Sequence, residues 1–287
     1  MIFTIDTEKC TFCGLCADDC TARVIRINKA SKTAEINSSK CIECAHCGMI
    51  CPAGAVTADG NQLPPYPDAA DIPEGCGAAA ELLEHLILSK RSIRKYNNTP
   101  LRQADIEAIL LAGQLTATAS NSRQVDSIVI RGAQVKDSAV FIARIILRIL
   151  PLVGNPAGRL VLKIAGLKRY ADKSLINYFH KKLTEIINGE SDFLFFNAPA
   201  VVILTYSDKG KMFGRTDCAL AGQNMMLTAH NRGIGSCMIG FAEAALWNKH
   251  LRRELGVASD RRIGLIFTLG HTDRKYHRYP SRMKWEV

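Results

Sequence analysis

Long apolar runs are missing from this chain of 287 residues. The longest, within FIARIILRILPLVG, extends for about a dozen residues, is broken by Arg144 and Arg148, and ends at Pro151, whereas a membrane crossing needs roughly 20. Aromatic residues are scarce at 7% and do not interleave with the basic ones, so the stacking platform of a nucleic-acid binder is not expected. The opening MIFTIDTEKC has no basic patch followed by an apolar stretch, which argues against an export signal and for a reducing cytoplasm. Hydrophobic residues at 47% and charged residues at 22% fit a globular chain and exclude global disorder and fibrous repeats.

Cysteine is abundant instead. Eight of the 11 cysteines fall in the first 51 residues, and only Cys76, Cys218 and Cys237 lie beyond. Cys10, Cys13, Cys16 and Cys20 follow C-x2-C-x2-C-x3-C; Cys41, Cys44, Cys47 and Cys51 repeat it, the second copy closing on Pro52 and the first on Thr21. Three thiolates two residues apart can wrap three corners of an iron–sulfur cubane, leaving the fourth iron to a distant cysteine. Structural zinc sites more often split into two separated C-x2-C pairs, which disfavours zinc. His46 reads as an exposed residue beside the second string that tunes it slightly. Residues 1 to about 60 resemble a bacterial two-cluster ferredoxin. That resemblance implies two [4Fe-4S] clusters and a crossover of the last cysteine of each string, giving Cys10, Cys13, Cys16 and Cys51 to one cluster and Cys20, Cys41, Cys44 and Cys47 to the other.

Charge separates the chain into two parts. Residues 1–60 carry six Lys/Arg against seven Asp/Glu, so nearly all of the net charge of +10 belongs to the remainder. Such an excess attracts acidic proteins, phosphate-bearing cofactors or anionic surfaces without choosing among them. Proline-rich NQLPPYPDAADIPEGCG reads as a linker, giving domains at 1–60 and 78–287 joined by 61–77. Beyond it, AAAELLEHLILSK and TPLRQADIEAILLAGQLT have helical patterning, with Thr99, Pro100 and Asp105 suited to a helix start. Residues 127–132, 199–206 and 262–270 are short β-branched runs, the last two apolar enough for central strands. Residues 135–190 form a basic, mainly helical insert, expected to be a solvated dimer-facing or lid segment, with association to a membrane surface as the other reading. The second domain is therefore α/β or α+β.

Five segments occur in one order: KRSIRKYNNTPLRQADIEAILLAG, SNSRQVDSIVI, FFNAPAVVILTY, DCALAGQNMMLTAHNRGIGSCMIGF and KYHRYPSR. Together they resemble the nitroreductase-like FMN proteins over about Leu82 to Arg282. The resemblance implies an α+β fold, a homodimer, and FMN held by Lys90, Arg91, Ser92, Arg94, Asn121, Ser236, Cys237, Gly240 and Arg282. Guanidinium forks suit the phosphate dianion, an amide suits the alternating polar edge of the ring, and backbone groups of a glycine loop suit the reduced ring. Two departures stand out: Lys90 replaces the family's first arginine, and Arg123-Gln124-Val125 replaces a Gln-Pro-Trp, removing an aromatic. Cys76 and Cys218 are expected to be structural, and the Cys237 side chain to fill space while its backbone binds. No Ser/His/Asp set or paired carboxylates stand at a recognisable spacing, so no protein group is nominated as catalytic and the flavin is expected to carry the chemistry. The function implied is an anaerobic oxidoreductase passing electrons from reduced ferredoxin or NAD(P)H through the clusters and FMN to a small acceptor such as a nitro compound or quinone. No G-x-G-x-x-G follows a strand, which decides little about NAD(P)H. The alternative is an electron carrier or redox sensor serving a protein or membrane partner.

Overall fold

A computed structural model describes residues 2–59, 61–62, 77–166, 171–208, 212–240 and 249–276. Its contacts divide the chain into two compact units, Met1–Leu82 with Thr118–Ser122, and Leu83–Ala117 with Arg123–Val287.

In the first unit, β1 (Phe3–Ile5) pairs antiparallel with β4 (Val56–Ala58), and β4 pairs with β5 (Asn61–Gln62). The stretch read as a linker thus begins as a strand, while residues 63–76, with Cys76, lie outside the described residues. A hairpin of β2 (Ile25–Asn28) and β3 (Thr33–Ile36) turns where the Asn28 side chain accepts from the Ala30 and Ser31 amides. Two one-turn helices, α1 (Leu15–Asp18) and α2 (His46–Met49), follow equivalent points of the two cysteine strings. The apolar cores are small: Phe3, Val56 and Ala58 in one, Cys16, Val24 and Ile25 in the other.

The second unit is built on a four-stranded antiparallel sheet in the order β6 (Val125–Arg131), β7 (Ala200–Ser207), β9 (Arg261–Gly270), β8 (Gly235–Met238). Strand β7 is buried along nearly its whole length, and the two-residue period of a strand sends its side chains alternately to two cores. Ala200, Val202, Leu204 and Tyr206 face Ile109 of α4 (Gln103–Gln114) and Met225 and Met226 of α8 (Gly214–Asn231). Val201 and Ile203 face Ala139, Ile142 and Ile146 of α5 (Ala133–Gly154) and Leu183 and Ile186 of α7 (Lys173–Ile187). The remaining described helices are α3 (Gly77–Ser89), α6 (Pro156–Ile164) and α9 (Lys249–Glu254).

Two local expectations change. Helix α4 starts at Gln103, and Thr99 and Pro100 precede it. Asp105 is in its first turn, but its buried carboxylate is taken by Arg102 at 2.7 Å and Arg232 at 2.9 Å. Helix α5 runs on through Pro151, because a proline one turn before a helix end loses a single backbone hydrogen bond, and the Asn155 amide bonds the Pro151 carbonyl. The glycine loop contains a strand, β8, since the free edge of β9 offers ladder partners along Gly235–Met238.

Strand β9 contains one extra residue opposite the Leu204/Thr205 step of β7, which leaves Gly264 as the bulge. A Cβ there would lie 2.5 Å from Cys218 Sγ and 3.2 Å from Tyr206 Cδ1. Cys218 is thus a packing residue, and burial pushes its thiol up to about 12. Replacing Gly264 with Ala is expected to destabilise the protein by about 1–3 kcal/mol through overpacking. Chemical denaturation comparing midpoint and slope would measure it; an unchanged midpoint would mean that the bulge can relax.

Candidate metal centre and active site

The two cysteine strings adopt the same backbone path. Positive φ occurs two and four residues after the first cysteine of each, at Phe12 (53°) and Gly14 (90°), and at Glu43 (56°) and Ala45 (64°). These left-handed residues curl each string so that amides turn inward: Phe12 N–H donates to Cys10 Sγ, and Glu43 N–H to Cys41 Sγ, both at 3.4 Å. Ala55 N–H donates to Cys51 Sγ at 3.3 Å. Hydrogen bonds of this kind stabilise cluster thiolates and tune their potential.

One small cavity is lined by Cys10, Cys13, Cys16 and Cys51 together with Ile5, Leu15, Ile27 and Val56. A second is lined by Cys20, Cys41, Cys44 and Cys47 together with Phe3, Val24 and Ile42. Each thus takes three thiols from one string and the last thiol of the other, and each has an apolar wall. Burial raises the Cys16 thiol, and pushes that of Cys47 up to about 11. Only a strong positive charge such as iron would hold buried thiols of that kind as thiolates. His46 is half-exposed at the start of α2, with Nδ1 3.4 Å from Asp19 Oδ2, linking the helical turns of the two strings.

In the second unit the segment after α3 runs parallel to β8. Ser92 bridges Ser236, and Ile93 N–H donates to the Ser236 carbonyl at 2.9 Å. Ile93 sits over Gly235, where a Cβ would come within 2.7 Å of it, so the glycine is what lets the two backbones approach. Tyr96 braces the segment: its hydroxyl shares its one proton between the Ile93 carbonyl at 2.8 Å and the Thr268 hydroxyl oxygen at 2.7 Å, and Thr268 donates to the Cys237 carbonyl. Burial raises the Tyr96 phenol, keeping it protonated as a donor. The Cys237 side chain is 1% exposed and belongs to the α5-side core.

Lys90, Arg91, Ser92, Ser236 and Cys237 are thereby brought together, with Arg94 two residues beyond and Gly240 just past β8. Arg282 lies outside the described residues. Arg91 folds its guanidinium back onto the carbonyls of Leu88 and Lys90, closing the C-terminal end of α3. Arg94 is 6.0 Å from the centre of the Phe196 ring. Asn121 is held in the first unit, where its Nδ2 donates to the Ile42 carbonyl at 3.0 Å, inside the second cysteine string.

Two polar features escaped the sequence reading. His230, in the last turn of α8, bonds the Ser89 hydroxyl at 2.8 Å. Its pKa is lowered by burial and by the neighbouring charges of Lys90, His85 and Arg91, and burial lowers Lys90 in turn. Gln124 is buried and donates to Asp217 of α8 at 2.7 Å, while Arg261 donates to the Gln124 carbonyl at 2.7 Å. A lone histidine in AHNRG and a glutamine in a divergent loop have no spacing that would flag them.

Residues 2–52 match the 4Fe-4S dicluster domain, and residues 87–271 match the family model described as the nitroreductase family. This chain belongs to the nitroreductase family. Among solved structures, a nitroreductase with bound FMN from Bacteroides fragilis matches with a TM-score of 0.54 at 22% identity, over 71% of this chain and 95% of that one. A nitroreductase with bound FMN from Desulfitobacterium hafniense matches at 0.52 and 20% identity, over 71% and 94%. A mutant of an FMN and NADPH-dependent nitroreductase from Sphigopyxis matches at 0.50 and 18%, over 71% and 98%. At these identities the likenesses establish the nitroreductase fold of the second unit. No curated protein matches the chain.

Two outcomes follow from the pairing of thiols and from the basic cluster. Cys51→Ala should remove the cluster of the Cys10, Cys13 and Cys16 string, and Cys20→Ala that of the other string, each leaving about four of eight irons. Iron and sulfide analysis with spectroscopy of the surviving cluster would check this; retention of both clusters would exclude the crossover. Since His230 is harder to protonate in the fold, the unfolded chain takes up the proton first, and stability should fall as pH drops below about 6.5 towards the lowered folded pKa. His230→Gln should flatten that acid limb in thermal melts taken from pH 5 to pH 8; an unaltered limb would assign it to other groups.

Proposed function

We propose that this protein is an iron–sulfur flavoprotein reductase, in which the N-terminal clusters feed single electrons to an FMN that reduces a small organic acceptor. The observation that carries this reading is the pair of four-cysteine cavities in the same chain as a nitroreductase domain. Cluster loops transfer electrons one at a time and do no organic chemistry of their own, so a fused flavin domain gives them a reason to be there. Bound FMN would supply the conversion of one-electron input into hydride transfer.

The chain's own residues suit that cofactor. Lys90 and Arg91 put fixed positive charge at the C-terminal end of α3, and His230 adds a hydrogen-bonding ring beside them. A guanidinium has five N–H donors, so Arg91 can bond the Leu88 and Lys90 carbonyls and still meet a phosphate. Ser92 and the backbone of Ser236, Cys237 and Gly240 would orient the ring, with the Tyr96–Thr268–Cys237 chain of hydrogen bonds keeping that backbone rigid. Arg94, Asn121 and Arg282 complete the proposed set. A homodimer, reduced ferredoxin or NAD(P)H as donor, and a nitro compound or quinone as acceptor belong to the same proposal. Exposed Arg123, where the sequence departs from the family, would favour an acceptor with negative charge.

The decisive test is anaerobic. Flavin absorbance is followed on adding reduced ferredoxin or NAD(P)H, and acceptors are then supplied. Cys47→Ser is expected to retain FMN and lose turnover driven by reduced ferredoxin. Unchanged turnover in that variant would remove the clusters from the electron path.

A further inference from the structure

The corner between α5 and α6 carries large apolar side chains that the fold leaves uncovered. Ile149 is 43% exposed, Leu152 67%, Leu160 58%, Val161 64% and Ile164 79%. At 100° per residue, Leu160, Val161 and Ile164 share one side of α6, and Arg144, Arg148, Ile149 and Leu152 share the exposed side of α5. Asn155 caps α6 by accepting from the Gly158 amide at 2.7 Å, and a Cβ on Gly158 would lie 2.2 Å from the Leu152 carbonyl, so the two helices meet in a tight corner.

Its charge is mainly positive, with exposed Asp137 one heptad before Arg144 on α5 and exposed Asp172 beside Arg159 as the acids at its margin. From Ser138 to Ala171 the sequence has six basic residues, Arg144, Arg148, Arg159, Lys163, Lys168 and Arg169, and no Asp or Glu. Exposed Arg144, Arg148 and Lys163 flank the apolar side chains. A pairing that placed this face on a two-fold axis would set its like charges against each other. Aromatic residues for stacking bases are absent from both helices' exposed faces, which disfavours single-stranded nucleic acid. No described helix is long and apolar enough to cross a membrane. Apolar side chains ringed by Lys and Arg suit a surface that is greasy within and negative at its rim, the combination that a bilayer of anionic lipid presents.

We infer that the α5–α6 corner docks this protein on an anionic membrane surface, with Leu160, Val161 and Ile164 entering the headgroup boundary and Arg144, Arg148 and Lys163 meeting lipid phosphates. The inference stands apart from the redox reading.

The test uses the full-length protein and sedimentation with vesicles of phosphatidylcholine alone or of equal parts phosphatidylcholine and phosphatidylglycerol. Binding is expected to the mixed vesicles, to weaken with added salt, and to be weak on phosphatidylcholine. The exposed pairs Leu160→Ser with Ile164→Ser, and Arg148→Glu with Lys163→Glu, should each lower partitioning by about tenfold, with circular dichroism confirming the fold. Absence of binding to mixed vesicles, or equal binding by both variants and the parent, would overturn the inference. A drop in oligomer mass in the variants without vesicle binding would overturn it in favour of a second copy.

Discussion

Everything in the second unit hangs on β7, a strand wrapped by apolar side chains on both faces. A ladder in that position can carry no charge and must satisfy all of its backbone groups through β6 and β9. The alternation of its residues feeds two separate cores, so each helix layer is fixed in register by the same eight residues. Polar chemistry is thereby pushed outward, to β8 at the sheet edge and to the segment that follows α3. The Tyr96–Thr268–Cys237 hydrogen bonds tie that edge back to the centre.

In the first unit the balance is reversed. Its apolar cores amount to a few side chains each, and the cysteine cavities occupy the space that a larger core would fill. Left-handed residues at matching points of both strings show that the repeat of the sequence is a repeat of backbone geometry. Buried thiols are costly to ionise, which couples the order of this unit to the iron it would bind.

Much of this was legible in the sequence because it rests on patterns with a physical period. The cysteine spacing announced two loops, and the continuous apolar runs announced β7 and β9. What depended on tertiary pairing was hidden. Strand β8 reads as a glycine-rich turn until the open edge of β9 is known. Helix α4 begins at Gln103, after Thr99 and Pro100, and the carboxylate of Asp105 in its first turn is held by Arg102 and by Arg232 more than a hundred residues away, a pairing that no sequence period reveals. His230 and Gln124 are recognisable only by the buried company they keep, Ser89 and Asp217.

The exchange of the fourth thiol between strings has a consequence for assembly. With ligands shared as the cavities pair them, Cys51 cannot reach the first string until the chain between has turned back through β2, β3 and α2, and Cys20 must be in place before the second loop can close. Neither loop is a self-sufficient module. Ordering of the unit and capture of iron are then coupled: each cavity is complete only once the chain has brought both strings together, although either can keep its own four thiols when the other has lost one.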